Sequence, residues 1–210
     1  MTEFDRNVFI NCPFDADYEP ILQAILFTIL YLGFEPRLAL EREDSGESRL
    51  EKIRELIRES RFSIHDLSRC RANDKGEIFR LNMPFELGVD YGCRQYFGNG
   101  RDAKRFLILE EEQYRYQRAL SDLSGSDIRK HGGDFAEAMT AVRNWLRNHS
   151  RRKALGPSGM QGKYVDWQEW HWETMLSRGY SEKDILKYPT FELIESIKEW
   201  LSSGEPASAN

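Results

Sequence analysis

The sequence predicts a doubly wound α/β fold, in which helices cover both faces of a largely parallel, flavodoxin-like sheet. Short β-rich runs alternate with segments of helical periodicity between residues 7 and 148. Alternation of this kind is typical of βαβ units and of a parallel sheet. The segment 18–32 is apolar nearly all round, which is typical of a helix buried on several sides. Because crossovers between parallel strands are right-handed in nearly all cases, few topologies remain.

The predicted strands are short runs rich in β-branched and aromatic residues. They are NVFINC (7–12), EPRLAL (35–40), RFSIHDL (61–67) and KRFLIL (104–109). A fifth strand has only a weak candidate, ALSDLSG (119–125).

Further helices are predicted between and after these strands. The segment 49–59 has a single apolar stripe, made of Leu50, Ile53, Leu56 and Ile57. Ser48 is placed to cap its start. A second helix begins near Asn82. The last, at 134–148, has apolar and aromatic residues at helical spacing: Phe135, Met139, Val142, Trp145 and Leu146.

The composition changes after residue 150, where SRRKALGPSGMQG has the Gly, Pro and Ser content of a linker. We therefore divide the chain into an α/β domain at 1–150 and a helical C-terminal extension at 160–203. Spacings of three and four place Tyr164, Trp167 and His171 on one helical face. The extension has too few apolar residues for a core of its own, so we expect this face to dock on the α/β domain. The alternative is a self-association or partner surface.

Composition and charge argue against several classes of protein. Hydrophobic residues form 40% and charged residues 31% of the chain, the balance of a soluble globular protein. No apolar run approaches the roughly 20 residues of a membrane span, so no membrane partner is expected. The formal charge of -5 argues against a nucleic-acid partner. The N-terminus lacks a basic region followed by an apolar one, so no signal peptide is expected.

The cysteines and histidines do not form a recognisable chemical motif. Cys12, Cys70 and Cys93 are odd in number and scattered, which indicates reduced thiols in a cytoplasmic protein. Neither they nor the histidines have metal-ligand spacing, so no metal site is predicted. His65 alternates with Ile64 on a predicted strand, which favours a packed core histidine. The basic run 143–153 is interpreted as a solvated helix end rather than a nucleic-acid site.

One segment, NMPFELGVDYG, places an acid where ligands bind in this class of fold. Glu86 falls in the predicted first turn of the helix that starts near Asn82, and Asp66 ends the preceding strand. Ligands of open α/β sheets bind outside the carboxyl ends of the strands, so both carboxylates are expected at that crevice. The alternative is structural, because acids in first turns also complement the helix dipole and Asp66 could cap a turn.

The neighbours of Glu86 predict how its helix packs. Gly88 and Gly92 are expected to bring the helix close to the sheet, with Phe85 and Val89 on its buried face. The glycines lower helix propensity by roughly 1 kcal/mol each, so close packing would have to offset them.

Three pieces of the chain resemble one superfamily. SRFSIHDLSR followed by PFELGVDYG looks like the core of the Toll/interleukin-1-receptor (TIR) and nucleoside 2-deoxyribosyltransferase-like superfamily. The opening VFINCPFDADY is similar to the first strand and loop of bacterial TIR-like proteins, and the resemblance covers residues 7 to about 148. It implies that Glu86 is catalytic and acts on the ribose of an N-glycoside. The implied reaction is cleavage of the nicotinamide–ribose bond of NAD, by hydrolysis or cyclisation, in bacterial antiphage defence.

The resemblance also implies what the protein would bind. NAD or a related nucleotide would be the substrate, with no separate cofactor, and TIR-like or C-terminal surfaces could form a homo-oligomer. The chain departs from both branches of the superfamily. Arg80 stands where deoxyribosyltransferases usually have an aspartate, and Asn82-Met83 stands where TIR enzymes often have Trp-Cys. The alternatives are therefore a deoxyribosyltransferase-like enzyme or a non-catalytic nucleotide-sensing domain.

The chemistry of N-glycoside cleavage favours NAD among these substrates. The reaction passes through a positively charged, oxocarbenium-like sugar, which a carboxylate can stabilise or attack. One acid can suffice when the leaving group is the cationic nicotinamide, whereas a neutral base needs a second acid to protonate it. The sequence shows no obvious partner acid for Glu86.

Other candidate substrate-binding residues surround the same crevice. Arg42 and Arg49 could meet phosphates, with Ser48 and the helix start beside them. Phe14 and Tyr18 could stack on a base, although Tyr18 equally suits the buried face of the first long helix. The full predicted binding set is Phe14, Asp15, Arg42, Ser48, Arg49, Asp66 and Asn82.

Overall fold

The central sheet is parallel throughout and has the strand order β2-β1-β3-β4-β5. The computed structural model describes residues 2–41, 44–70, 81–112, 115, 120–123, 125–150 and 153–206. The strands are β1 (Asn7–Asn11), β2 (Glu35–Arg37), β3 (Phe62–Asp66), β4 (Arg105–Glu110) and β5 (Ile128–Lys130). This order is that of flavodoxin-like doubly wound sheets, as predicted.

The first four predicted strands are confirmed, although β2 ends at Arg37 and Ala39–Glu41, predicted in part as strand, is a 3-10 turn. The prediction of the fifth strand was wrong. Ser121–Leu123, inside the predicted strand 119–125, is a 3-10 turn, and β5 begins at Ile128. Leu120 and Leu123 pack against the apolar cluster that contains Ile108 and Ile128. A spacing of three between these leucines suits a tight turn, whereas side chains on one face of a strand recur every second residue.

Helices cover both faces of the sheet. They are α1 (Glu3–Arg6), α2 (Glu19–Tyr31), α3 (Arg49–Glu59), α4 (Asn82–Tyr96), α5 (Phe135–Ser150), α6 (Pro157–Ser177), α7 (Glu182–Ile185) and α8 (Thr190–Ser202). Alternate residues of β1 separate the two faces: Val8 and Ile10 join the core with α2 and α5, and Phe9 joins the cluster with α3. The 3.6-residue stripes predicted for α3 and α5 are confirmed, although Leu50 and Phe135 at their first turns are exposed.

The C-terminal helices dock on α2, as predicted. Ring centroids of Tyr164, Trp167 and Trp200 lie 5.3, 5.7 and 5.9 Å from that of Phe27. Both tryptophans are fully buried in the core cluster that also contains the β1 and β3 residues facing α2. The extension therefore shares its core with the sheet. Among the described residues, no helix has both the length and the apolar composition of a membrane span.

Candidate functional site

Glu86 lies on the buried face of α4, beyond the first turn in which it was predicted. The helix begins at Asn82 and its first turn contains no acid, so the predicted position was wrong. The buried residues of α4 are Met83, Glu86, Leu87 and Asp90, whose spacing of three and four marks one helical face. The effect of the helix dipole falls off within the first turn, so the dipole does not account for Glu86.

The remainder of α4 also packs differently from the prediction. Phe85 is 57% exposed, while Val89 is partly buried against the cluster that contains Phe9 and α3. A Cβ added at Gly88 or Gly92 would meet no atom within 4 Å, so neither glycine is needed for a close approach. The prediction failed because a spacing of four identifies one helical face without saying which way that face points.

Glu86 is largely buried, and among the described residues its carboxylate has no polar partner. The residue is 7% exposed, and no hydrogen bond or ion pair joins its side chain to the part of the chain that the structure describes. Burial raises its pKa to about 7, although the nearby Arg49 charge acts in the opposite direction. The carboxyl group is therefore close to half-protonated at neutral pH.

Asp66, the last residue of β3, is a second buried carboxylate, and its environment is the opposite of that of Glu86. It accepts hydrogen bonds from the Tyr18 hydroxyl (2.7 Å), the Ser68 backbone N–H (2.8 Å) and His131 Nε2 (3.0 Å). Burial alone would raise the pKa of Asp66, but the hydrogen bonds and the charge of His131 hold that pKa below its ordinary value. Asp66 is fully buried, and its oxygens are already satisfied by these donors.

The hydrogen bonds of His131 determine which of its ring nitrogens carries the proton. The Gly133 backbone N–H donates to Nδ1 at 3.1 Å, so Nε2 carries the proton in the neutral ring. Nε2 then faces both Asp66 Oδ2 and Ser68 Oγ, each at 3.0 Å. A nucleophilic triad needs the acid and the serine on different ring nitrogens. The cluster of Asp66, Ser68 and His131 therefore joins β3 to the loop after β5 and does not activate Ser68.

A network of buried polar groups holds the start of α4 on the sheet. The Asn11 side-chain amide donates to the Met83 carbonyl (2.8 Å) and contacts His65 Nδ1 (3.0 Å). His65 Nε2 lies 3.1 Å from Asp90 Oδ2, and Lys104 Nζ lies 3.1 Å from Asp90 Oδ1. All of these groups are buried. Hydrogen bonds are directional, so this network fixes the position of the helix that carries Glu86.

The predicted binding residues do not all lie near Glu86. Arg49 does, since its charge acts on the pKa of Glu86. Ser48 is the N-cap residue of α3, as predicted, but its exposed side chain makes no capping hydrogen bond. Phe14 and Asn82 are exposed after β1 and at the start of α4. Arg42 lies outside the described residues.

Asp15 and Tyr18, both just after β1, are engaged within the protein. Asp15 accepts a hydrogen bond from the Tyr18 backbone N–H (3.1 Å) and lies 3.4 Å from an Arg69 guanidinium nitrogen. Tyr18 is 2% exposed, so its ring cannot stack on a base. Its hydroxyl binds Asp66 instead, which places Tyr18 on the buried face of the first long helix, the other position considered for it.

Several groups at this edge of the sheet escaped the sequence analysis. His131 was missed because the fifth strand was predicted at 119–125. The observed β5 ends at Lys130, so His131 directly follows the carboxyl end of that strand. Arg115 was also missed: it donates to the Glu110 carboxylate (2.7 Å) and to the Ser68 carbonyl (2.8 Å). The core spacing of Met83, Glu86, Leu87 and Asp90 is visible in the sequence. It could have identified Glu86 as buried.

The comparisons with known proteins leave the family open. Models of protein families, curated protein sequences and solved structures provide no match to this chain. Among the described residues, no group of three or more His, Cys, Asp or Glu side chains is arranged to hold a metal ion. The site is therefore described by its own geometry: a buried glutamate with no polar partner among the described residues, and an arginine nearby.

Proposed function

We propose that the protein is a TIR-like enzyme that cleaves the nicotinamide–ribose bond of NAD, with Glu86 as the catalytic residue. The observation that carries this proposal is the burial of Glu86 with no polar partner among the described residues, on the helix that follows β3. An unpaired buried carboxylate destabilises a fold. Residues that break a packing rule in this way are concentrated at functional sites.

The proposed chemistry uses the ionised form of Glu86. When the bond between ribose C1′ and the nicotinamide nitrogen breaks, its electron pair goes to the nicotinamide, which leaves as a neutral molecule. Positive charge then develops on C1′ and the ring oxygen of the ribose. The Glu86 carboxylate stabilises this charge, or bonds to C1′ until water displaces it. Addition of water to C1′, with release of one proton to solvent, gives ADP-ribose, and attack on C1′ by another atom of the same ligand gives a cyclic product.

Arg49 supports a ligand that has both ribose and phosphate groups. Its guanidinium stands at the start of α3, close enough to Glu86 to lower the pKa of that carboxyl. Guanidinium groups bind phosphate oxygens through charge-assisted hydrogen bonds. We expect Arg49 to bind the pyrophosphate while Glu86 acts at the ribose.

A second candidate is exchange of the base of a deoxynucleoside, and the pKa of Glu86 favours it. A pKa of about 7 keeps a large fraction of the carboxyl protonated near neutral pH. A neutral leaving base needs a proton donor, and a protonated Glu86 could supply it. The two candidates predict opposite dependences on pH, because one needs the ionised carboxyl and the other the protonated one.

The test incubates the purified chain with NAD, and separately with deoxynucleosides plus a free base, across pH 5 to about 9, with the products separated by chromatography. NAD cleavage is expected, with a rate that rises with pH through about 7, the pKa of Glu86. Base exchange that falls with pH through the same range would support the second candidate instead.

Glu86→Gln tests the catalytic role directly. The amide keeps the shape of the side chain but cannot offset positive charge, so turnover should fall by about 100- to 1000-fold. Glu169→Gln, an exposed acid on α6, is the matched control and should leave turnover unchanged. Wild-type turnover in Glu86→Gln would refute the catalytic assignment.

Binding of NAD without turnover in either protein would indicate a sensing domain.

A role in antiphage defence predicts that infected bacteria lose NAD when they express the wild type and keep it when they express Glu86→Gln.

A further inference from the structure

A groove beside α5 lies apart from the Glu86 site. Its volume is about 600 Å³, and its walls are α5 and the edge of the sheet formed by β4 and β5. The residues that line it include Phe106, Asp127, Arg129, Lys130, Glu137 and Arg147. The groove belongs to neither the Glu86 environment nor the cluster of Asp66 and His131.

One side of the groove is an open strand edge. β5 pairs only with Ile108–Glu110, so no strand in the described ranges lies beside the amino-terminal half of β4. The Arg105 backbone N–H points toward β3, where it donates to the Arg61 carbonyl at 2.9 Å. Backbone groups of successive residues in a parallel strand point to opposite sides, so those of Phe106 point toward the groove. The Phe106 ring contacts His65 and lies on the α4 side, which leaves its main chain lining the groove.

The groove also concentrates cations that form no ion pair with any carboxylate of the described residues. Arg129, Lys130 and Arg147 make no ion pair with any described residue. Arg143 directs its guanidinium to the Leu155 carbonyl (2.7 Å) and to the Asn144 amide oxygen (2.8 Å), which do not offset its charge. Asp127 and Glu137 are the acids in the lining. The surplus is local, since the whole chain has a formal charge of -5.

Further cations lie at one end of the groove, near His149. Burial and the charges of Arg105 and Arg61 lower the pKa of His149. Among the described residues, Arg105 donates to the backbone carbonyls of Asp102 (3.3 Å) and Lys104 (2.8 Å). An anionic ligand in the groove would therefore meet unneutralised arginines along its length.

We propose that this groove binds an extended acidic peptide segment of another protein. The segment would lie in line with β5 and exchange backbone hydrogen bonds with Phe106, while its acidic side chains meet Arg129 and Arg147. Strand addition of this kind takes affinity from main-chain bonds and specificity from side chains. A nucleic acid would satisfy the cations but not the open strand edge, so both observations together favour a peptide. The proposal does not depend on the activity of Glu86.

The probe is a fluorescent eight-residue peptide of alternating Glu and Thr with blocked ends, and its binding to the full chain is followed by anisotropy. A peptide with Lys in place of Glu tests charge. A peptide with the same side chains and N-methylated amides tests backbone pairing, because it keeps the charge and loses the donors. We expect both to bind at least about tenfold more weakly than the probe. The Phe106 amide should become protected from hydrogen exchange when the probe binds.

The protein variant is Arg129→Ala/Arg147→Ala, which removes two exposed cations of the groove. We expect it to weaken binding of the probe about tenfold. The matched control, Arg58→Ala/Lys183→Ala, removes two exposed cations elsewhere and should leave binding unchanged.

Unchanged binding in Arg129→Ala/Arg147→Ala, or equal binding of the N-methylated peptide, would overturn the proposal. So would tighter binding of single-stranded oligothymidylate than of the peptide, or no binding of the probe at about 1 mM.

Discussion

The two faces of the sheet bury different kinds of group. The face toward α2, α5, α6 and α8 is one continuous apolar cluster, with Phe27 in contact with Trp167 and Trp200. The face toward α3 and α4 has smaller apolar clusters around the buried network of His65, Asp90 and Lys104. Apolar burial is non-directional and stabilises any close packing. Buried hydrogen bonds are directional, so the polar face fixes where α4 and Glu86 lie.

On each side of the sheet, burial disfavours the charged form of an ionisable group. Glu86 is such a group on the polar face, toward α3 and α4, and His171 of α6 is another on the aromatic face, toward α2, α5, α6 and α8. Burial raises the pKa of Glu86 to about 7 on the polar face. Burial lowers the pKa of His171 to about 4 on the aromatic face, where His171 stacks on Trp167 and its Nε2 has no hydrogen-bond partner in the described structure. The contributions of these two groups to stability should therefore depend on pH in opposite directions.

The largest change in stability is expected from Lys104→Met on the polar face. The substitution leaves the buried Asp90 carboxylate without its cation and removes the donor that binds the Ile57 carbonyl at 2.7 Å. Breaking one partner of a buried ion pair costs about 3–5 kcal/mol, which urea unfolding would measure. The double variant Lys104→Met/Asp90→Asn should recover most of the loss. A loss under about 1 kcal/mol in the single variant would contradict the structural role given to the buried network of His65, Asp90 and Lys104.

Glu86→Gln should change how stability depends on pH. The folded state holds the Glu86 proton up to about pH 7, whereas the unfolded state releases it near 4.5. The wild type therefore loses stability as pH rises through this window, by about 3 kcal/mol relative to the Gln variant. Urea unfolding from pH 4 to about 8 would measure both slopes. Equal slopes would show that Glu86 is not buried in solution.

The aromatic face should show the opposite slope. His171 accepts a proton near pH 6.5 when unfolded and only near 4 when folded, so the wild type loses stability as pH falls between these values. His171→Phe/Ser196→Ala removes the titrating ring together with the hydroxyl 2.6 Å from it. The variant should gain about 3 kcal/mol relative to the wild type at pH 4. A loss of stability that is the same at every pH would mean that only packing changed.

The smallest effect is expected from Trp167→Phe. The smaller ring leaves a cavity against Phe27 and Tyr164 and should cost about 2 kcal/mol. The indole N–H of Trp167 has no partner in the described structure, so no hydrogen bond is lost with it. The cost should not vary with pH, and Trp170→Phe, which is half-buried, should cost less. Equal costs would indicate that the docked face is misassigned.

Local patterns predicted most of the fold, and they failed where a pattern fits two environments. The alternation of β-rich and helical segments predicted β1 to β4 and their parallel order. The spacing of Tyr164, Trp167 and His171 predicted the docked face of α6. The same spacing rule misjudged Gly88 and Gly92, because periodicity identifies a helical face and not its direction. The strand at 119–125 was wrong because its leucines serve a turn that packs on Ile108 and Ile128.

The sequence by itself determined the class of fold, the placement of most helices and the choice of Glu86 as the residue of interest, because these depend on local periodicity and on the edge where ligands bind in such sheets. Only the tertiary structure decided the environment of each carboxylate. Asp66 and Glu86 look alike in the sequence, yet one has Tyr18, Ser68 and His131 as donors and the other has none in the described structure. Those donors come from segments far apart in the chain, and a pKa depends on which of them reach the carboxyl group.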